Sequence, residues 1–333
     1  MKRNIVALIL AAIMLMATFA ACGGSTSNVS PSPAASGEPA SGGSYTIGIV
    51  QIVQHAALDN ATQGFMDALT EKLGDKVKFD LQNANGDPNT CAIISNKFVS
   101  ENVDLILANA TPALQAAQTA TNKIPILGTS VTDYGTALGI KDWAGKTGKN
   151  ISGTSDLPPL DEQAAVLNEL FPDAKRVGIL YCSSEPNSKY QSQVITKHLT
   201  DMGYTCKDYT FSDSNDLHTV ATNAASDSDV IYLPTDNTVA SNTQIIRSAT
   251  IDKNVPVIAG EESICAGTGV ATLSISYYDL GYTTGEMAYE ILVNGADPGT
   301  MDIKFSPEFA KKFNAKICSE LGITPPSGYS AIE

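Results

Sequence analysis

Short apolar runs alternate along the chain with longer stretches in which apolar residues recur every three or four positions. The short runs have the length of buried strands, and the longer stretches have the spacing of one helix face. The predicted strands are 46–52, 76–81, 104–108 and 124–128 in the first half, and 177–182, 205–211, 229–233 and 255–259 in the second half. The predicted helices begin near Asp59, at Pro88 after the N-cap Asp87, and at Thr111, and then span 187–202, 216–225 and 237–252. This succession predicts parallel sheets wrapped by helices.

The second half repeats the hydrophobic pattern of the first half. Two pairs of strands correspond in sequence: 47–50 with 177–180, and 124–127 with 255–258. Between them, the strands that follow Asp104 and Asp229 both end in hydroxyl side chains at a predicted helix start. The predicted fold class is therefore α/β, with two similar doubly wound parallel-sheet lobes.

The segments outside the two repeats predict how the lobes are joined. Residues 136–155 are rich in Gly, Lys and Asn and are followed by Asp156 and two prolines, which predicts a first crossover. A helix at 279–293 and a tail at 302–326 come after both repeats, so the chain is expected to cross three times and form a hinge. The predicted lobes are 45–153 with about 276–298, and 154–275 with about 299–333.

The first 44 residues have a composition unlike the rest of the chain. Lys2 and Arg3 precede an apolar run at 5–21, which is typical of a secretory signal peptide over residues 1–22. The sequence Phe-Ala-Ala-Cys at 19–22 resembles a bacterial lipobox, so Cys22 is the predicted lipidation site. An uncleaved membrane anchor is the alternative, although the apolar run is at the short end for spanning a bilayer. Residues 23–44 are almost all Gly, Ser, Pro, Ala, Thr and Asn, which predicts a disordered tether outside the membrane.

Composition narrows the class of protein. A chain of 333 residues with 43% hydrophobic and 17% charged residues is long enough for two globular domains. The formal net charge of −14 argues against nucleic acid or an anionic membrane surface as a partner. No dinucleotide fingerprint, phosphate-binding loop or nucleophile elbow is present, and the three His residues lack zinc-site spacing. No enzyme activity, metal or cofactor is therefore expected.

Five cysteines follow Cys22, at positions 91, 182, 206, 265 and 318. An odd number prevents complete pairing, and no CxxC motif indicates a metal or redox site. Cys182 and Cys206 are the pair to test for a disulfide, with buried free thiols as the alternative.

Several short polar or glycine-containing segments occur in a defined order along the chain. They are 47–59, 110–113, 130–133, 153–156, 183–188, 234–239, 260–262 and 277–281. Over residues 45–326 these segments resemble the tryptophan-type substrate-binding proteins of bacterial ABC transporters. The resemblance implies a type I periplasmic-binding fold and an extracytoplasmic, monomeric receptor that delivers a tryptophan, tyrosine, phenylalanine or similar small solute to a membrane permease. An extracytoplasmic sensor of the same fold is the alternative, and an enzyme on this scaffold is a third.

An amino acid ligand would need donors for its carboxylate, and polar residues at the predicted strand ends offer them. In open α/β sheets ligands bind beyond the carboxyl ends of the strands. The candidate donors are the hydroxyl groups of Thr111, Thr129, Ser130 and Ser183. Thr111 also begins a predicted helix, whose free N–H groups favour an anion, although Thr111 could instead only cap that helix.

The ammonium group and the side chain of such a ligand have other candidates. Asp236 is the first choice for the ammonium group and Glu262 the second, with Asp236 as a simple helix N-cap as the alternative. Asp156 lies at the predicted crossover, where it would orient the hinge or the ligand. The remaining candidates follow the first strand or belong to the segments that carry the resemblance: Gln54, His55, Glu185, Asn187, Asn237, Thr238 and Tyr278.

Overall fold

A computed structural model describes residues 44–332. The predicted signal peptide, the lipidation site Cys22 and residues 23–43 of the predicted tether lie outside the described residues, as does Glu333. Among the helices of residues 44–332, none has the length and apolar character needed to cross a bilayer.

The first sheet contains six parallel strands in the order β11-β5-β4-β3-β1-β2. Its strands are β1 (Tyr45–Gln51), β2 (Val77–Asn83), β3 (Leu105–Asn109), β4 (Ile126–Val131), β5 (Ile151–Ser155) and β11 (Lys304–Phe305). Every residue of β3, β4 and β5 is buried. Burial on both faces is expected for parallel strands that helices cover on either side.

The second sheet contains seven strands in the order β13-β12-β10-β9-β8-β6-β7, and only β10 and β12 pair in antiparallel fashion. Its strands are β6 (Arg176–Cys182), β7 (Thr205–Phe211), β8 (Val230–Leu233), β9 (Val257–Ala259), β10 (Ala271–Ser274), β12 (Ala310–Phe313) and β13 (Ser330–Ala331). The order β10-β9-β8-β6-β7 repeats the order β5-β4-β3-β1-β2 of the first sheet. The predicted fold of two similar α/β lobes is therefore confirmed.

Twelve α-helices pack on the two sheets within residues 44–332. They are α1 (Ala56–Leu73), α2 (Pro88–Glu101), α3 (Thr111–Ala120), α4 (Tyr134–Leu138), α5 (Leu160–Leu170), α6 (Pro186–Asp201), α7 (Ser214–Asp227), α8 (Asn237–Ser241), α9 (Thr243–Ile251), α10 (Glu262–Thr268), α11 (Tyr277–Leu292) and α12 (Ala315–Glu320). Asp87 caps α2 by accepting a hydrogen bond from the Asn89 N–H, and Pro88 is the first helical residue, as predicted. The helix predicted at 237–252 is instead two helices that meet at Asn242.

The chain crosses between the sheets three times: after β5, between β10 and α11, and between β11 and β12. After the second crossing, α11 packs along α1 at two glycines. A Cβ added at Gly281 would lie 1.9 Å from the Ala61 carbonyl oxygen, and one added at Gly64 would lie 2.1 Å from the Tyr278 carbonyl oxygen. These distances show that the two helix backbones touch, and this contact joins α11 to the first lobe.

Two expectations about local structure differ from what is observed, and the cysteines follow the free-thiol alternative. Residues 136–155 are not all linker, because 151–155 form the buried strand β5, so the crossover begins at Asp156. Strand β11 pairs with β5 in the first sheet, whereas residues 299–333 were assigned to the second lobe. Cys182 lies opposite Phe211, and Cys206 lies opposite Val177. The two thiols are therefore near opposite ends of adjacent strands, and all five cysteines of the described chain are free.

Candidate functional site

A small cavity lies between the lobes, at the carboxyl ends of the central strands, and its water-accessible volume is about 20 Å³. This is room for about one ordered water and far below the roughly 300–1,000 Å³ of small-molecule pockets, so the walls would have to move apart to hold an amino acid. The cavity is lined by His55, Leu58, Ser130, Thr132, Asp156, Asn187, Thr235, Asp236, Asn237, Ala240, Glu261 and Tyr277. Six of the predicted site residues are in this set: His55, Ser130, Asp156, Asn187, Asp236 and Asn237.

Two side-chain contacts join the lobes across this cavity. His55 Nε2 lies 3.3 Å from Asn237 Oδ1, and Gln191 Nε2 donates to Thr132 Oγ1 at 3.5 Å. His55 and Thr132 follow strands of the first sheet, whereas Asn237 and Gln191 belong to helices of the second lobe. The lobes are therefore closed on the cavity.

On the first lobe, part of the cavity wall comes from an irregularity in strand β4. The pairing of β4 with β5 shifts between Gly128 and Val131, and Ser130 has a φ of 54°. Such a bulge redirects a side chain that strict strand alternation would place elsewhere. The Ser130 hydroxyl is buried and has no hydrogen-bond partner within the protein.

Thr111 begins α3 at the neighbouring strand end, and its hydroxyl is also buried without a partner. Its alternative role as a helix cap is not observed, because the N-cap is Ala110, which has a φ of 86° and no capping side chain. A non-glycine residue in this region costs roughly 1–3 kcal/mol, and such strain clusters at binding sites. The free end of α3 and the two unpartnered hydroxyls of Thr111 and Ser130 together favour an anion.

Thr129 is not among the residues that line the cavity. Its hydroxyl is 3.2 Å from the Thr154 hydroxyl, which is 2.8 Å from the Thr284 hydroxyl of α11. This buried chain joins β4 and β5 to α11. The Thr129 hydroxyl therefore contributes to the packing among β4, β5 and α11, and not to the cavity wall.

Asp236 combines a structural and a cavity-lining position on the second lobe. It is 2% exposed and caps α8 by accepting from the Val239 N–H at 2.8 Å. Its other oxygen accepts from the Cys182 N–H at 2.8 Å and from the Ser188 hydroxyl at 2.7 Å. Burial, together with the nearby Glu185 carboxylate, raises the pKa of Asp236 to about 8.

Glu185 lies behind the cavity wall and does not line it. Its carboxylate accepts from the backbone and side chain of Asn237 at 3.0 and 2.7 Å, and from the backbone and side chain of Thr238 at 2.8 Å each. It also accepts from Asn187 Nδ2 at 3.1 Å. Glu185 and Thr238 therefore position Asn187 and Asn237, which do face the cavity.

Asp156 connects two of the three crossovers at the hinge. It is 5% exposed, accepts from the Thr132 hydroxyl at 3.2 Å, and accepts from the Tyr277 hydroxyl at 2.9 Å. Burial raises the pKa of Asp156 to about 6, although these hydrogen bonds act in the opposite direction. No lysine or arginine is among the residues that line the cavity, so its three carboxyl groups have no cationic partner on the wall.

Glu262 and Tyr278 line a wider open groove beside the cavity, and they do not line the cavity itself. The Glu262 carboxylate accepts from Lys312 Nζ at 2.6 Å. Tyr278 is 39% exposed and donates to an aspartate on α1. Glu261 and Tyr277, the residues just before them, line both the groove and the cavity. In both cases the residue that lines the cavity is one position earlier in the chain than the residue selected from the sequence.

Two further predicted residues lie away from the cavity. Gln54 is exposed. Ser183 is also exposed and its hydroxyl donates to the Phe211 carbonyl oxygen at 3.0 Å, so it joins the ends of β6 and β7.

The lining residues that were not selected from the sequence are Leu58, Thr132, Thr235, Ala240, Glu261 and Tyr277. Five of these six, all except Ala240, lie inside the segments that carry the resemblance, which was the available signal. Within residues 44–332 no group of three His, Cys, Asp or Glu residues is arranged to hold a metal ion.

Comparison with known proteins gives consistent results over most of the chain. The family model for ABC transporter substrate binding proteins matches residues 46–331. A tyrosine-binding protein of Clostridioides difficile (strain R20291) is 39% identical over 249 residues, which cover 74% of this chain and 72% of the relative. An ABC domain from Streptococcus pneumonia in complex with L-Trp is 32% identical, with a TM-score of 0.82 over 87% of this chain and all of the other.

A ligand-free, open structure of a substrate binding protein with adhesive properties from Clostridium difficile is 37% identical, covering 87% of this chain and 99% of the other. Its TM-score is 0.67, which is lower than that of the L-Trp complex despite the higher identity. That structure is an open form, whereas the lobes of this chain are closed on the cavity and make two contacts across it.

Proposed function

Because the chain belongs to the ABC transporter substrate-binding protein family, we propose that it captures an aromatic amino acid between its lobes and delivers it to a membrane permease. Substrate-binding proteins of ABC transporters act outside the cytoplasm. Lipidation at Cys22 and the tether at 23–44 would hold the protein, as a monomer, at the membrane surface near that permease. The tyrosine-binding and L-Trp-bound relatives support this class of ligand.

The observation that carries the proposal is a set of buried polar atoms without partners around the cavity. They are His55 Nδ1, Ser130 Oγ and Asn187 Oδ1, all on lining residues. Thr111 Oγ1, at the end of the neighbouring strand β3, is also buried without a partner, although Thr111 does not line the cavity. Most buried polar atoms in proteins are hydrogen-bonded, and each one that is not costs about 1–3 kcal/mol. A small polar ligand enclosed by the lobes would supply the missing partners.

The distribution of charge favours a zwitterion. The carboxylate would meet the Ser130 and Thr111 hydroxyls and the free end of α3, all on the first lobe. The ammonium group would meet a carboxylate of Asp236, Asp156 or Glu261, which line a wall without a cation. Asp236 remains the first choice, whereas Glu262 is replaced by Glu261, because Glu262 is already paired with a lysine.

Isothermal titration calorimetry tests the proposal. Tyrosine, tryptophan and phenylalanine are titrated into the purified protein, with leucine and ribose as controls for the side chain and the class of solute. We expect an aromatic amino acid to bind more tightly than leucine and ribose not to bind. Binding of ribose without binding of any aromatic amino acid would show that the ligand class is wrong.

A matched pair of variants tests the location of the site. Ser130→Ala removes a hydroxyl that lines the cavity, whereas Ser183→Ala removes a predicted hydroxyl that lies outside it. Alanine and serine share the same Cβ, so the strain at the positive φ of Ser130 is unchanged. We expect the first variant to weaken binding by roughly 10-fold, as for a hydrogen bond to a charged group, and the second to bind like the unchanged protein. Equal effects in the two variants would place the ligand elsewhere.

A further inference from the structure

A buried carboxylate determines which way the amide of Asn237 faces. Asn237 Nδ2 lies 2.7 Å from Glu185 Oε2, and the ionised carboxylate can only accept a hydrogen bond. The amide nitrogen must therefore point to Glu185, which leaves Asn237 Oδ1 facing His55. This oxygen is an acceptor, so His55 Nε2, at 3.3 Å, is the donor.

The neutral ring of His55 consequently carries its proton on Nε2 and has a lone pair on Nδ1. His55 Nδ1 is buried and has no hydrogen-bond partner within the protein. The side chain is not used for capping either, although His55 is the N-cap residue of α1. His55 is one of the lining residues, so the wall carries a ring acceptor that has no partner within the protein.

Two aliphatic side chains line the same cavity as His55. Leu58 lies three residues after His55 on α1, and Ala240 lies three residues after Asn237 on α8; both line the cavity. Residues three apart occupy the same side of a helix. Each lobe thus places an aliphatic side chain one helical turn from one member of the His55–Asn237 pair.

The groups expected to hold the amino acid backbone lie elsewhere on the first-lobe wall. Ser130 is at the end of β4 and Asp156 follows β5, whereas His55 follows β1, and β3 lies between β1 and β4. Strand spacing of about 4.8 Å puts the ends of β1 and β4 roughly 10 Å apart. An aromatic amino acid bound at Ser130 and Asp156 would extend its ring toward Leu58 and His55.

Building on the proposed function, we propose that His55 Nδ1 accepts a hydrogen bond from an O–H or N–H on the ligand's aromatic ring. The site therefore selects a phenol or an indole over a plain phenyl ring. Glu185 and Asn237 are positioning residues, because they set the tautomer of His55 without contacting the ligand's ring donor.

Calorimetry on the unaltered protein gives the first test. Tyrosine and tryptophan are compared with phenylalanine, O-methyltyrosine and 1-methyltryptophan, which separate the phenol and indole forms of the donor. Loss of a donor to a buried acceptor should weaken binding roughly 5- to 150-fold. If phenylalanine and the methylated ligands bind as tightly as tyrosine and tryptophan, the role of His55 is refuted while the proposed function stands. If no aromatic amino acid binds, both proposals fail.

Substitution gives the second test. His55→Phe keeps a planar ring and removes Nδ1, so the ratio of tyrosine to phenylalanine affinity should fall to about one, even if the lost contact with Asn237 weakens both ligands. His218→Phe, on the exposed face of α7, is the control and should leave the ratio unchanged. An unchanged ratio in His55→Phe contradicts the proposal. Nitrogen NMR of the His55 ring provides an independent check, because protonation at Nδ1 in the unaltered protein would also contradict it.

Discussion

Replacing Asp156 with Asn should stabilise the unliganded protein at neutral and alkaline pH. Asp156 is 5% exposed, and burial raises its pKa from 3.8 to about 6. At about 1.4 kcal/mol for each pH unit, this rise corresponds to about 3 kcal/mol of destabilisation when the carboxylate is ionised. Asn can keep both contacts, because the hydroxyls of Thr132 and Tyr277 can each donate or accept a hydrogen bond.

The effect should depend on pH in a defined direction. Because the folded protein binds the Asp156 proton more tightly than the unfolded chain, the cost is fully present above pH about 6. It declines as the pH falls through the folded pKa and is absent below the unfolded value of 3.8. The stability difference between Asp156→Asn and the unchanged protein should therefore be about 3 kcal/mol at pH 8 and close to zero at pH 3.5.

Urea unfolding between pH 3.5 and 8 measures this difference. Asp142→Asn is the matched control, because Asp142 is an exposed loop residue with a φ of 52°, a conformation that Asn adopts readily. The control should follow the unchanged protein at every pH. A difference for Asp156→Asn that is independent of pH, or a variant that is less stable at pH 8, would refute the reasoning.

Substitutions at three other positions test binding and folding. Asp236→Ala should abolish ligand binding and also cost about 0.5–2 kcal/mol through loss of the α8 cap. Asp236→Asn should keep the cap but turn its amide N–H toward the Cys182 N–H, so it should lose both binding and stability; calorimetry and urea unfolding measure the two effects. Thr111→Val should change stability by less than about 0.5 kcal/mol, because its hydroxyl has no partner, and yet weaken binding roughly 10-fold by titration. Gly281→Ala should destabilise by about 3 kcal/mol or more in thermal unfolding, because its Cβ would overlap the Ala61 carbonyl oxygen.

The central strands of both lobes could be predicted from the sequence because they are continuous apolar runs with polar ends. Strand β5 did not show this signal. Its residues are Ile-Ser-Gly-Thr-Ser, and its buried hydroxyls are satisfied by partners on other elements, such as Thr129 and Thr284 for Thr154. Nothing in the local pattern of 151–155 indicates these partners. The break between α8 and α9 was likewise missed, because an Asn inside a helical pattern does not by itself end a helix.

At two positions the cavity is lined by the residue before the one selected from the sequence, and helix geometry explains the first of these differences. Glu261 is the N-cap of α10 and accepts from the Ser263 and Ile264 N–H groups at 2.6 Å, which holds its side chain at the end of β9. Glu262, the first helical residue, turns toward Lys312 on β12. The antiparallel strand that brings Lys312 there comes from the tail of the chain, and the sequence offered no signal for its pairing.

The carboxylates that cap helices also make closure dependent on the ligand. Asp236 and Glu261 are held at the cavity by α8 and α10, so their capping bonds prevent them from turning to solvent. In the closed form they line the same cavity as Asp156, with no cation among the lining residues. Buried like charges destabilise one another, and a bound ammonium group would remove much of that cost. A ligand shifts a conformational equilibrium only through its different affinity for the two states. A zwitterionic ligand therefore stabilises the closed form most, and we expect an uncharged analogue that lacks the amino group to bind weakly and to close the lobes poorly.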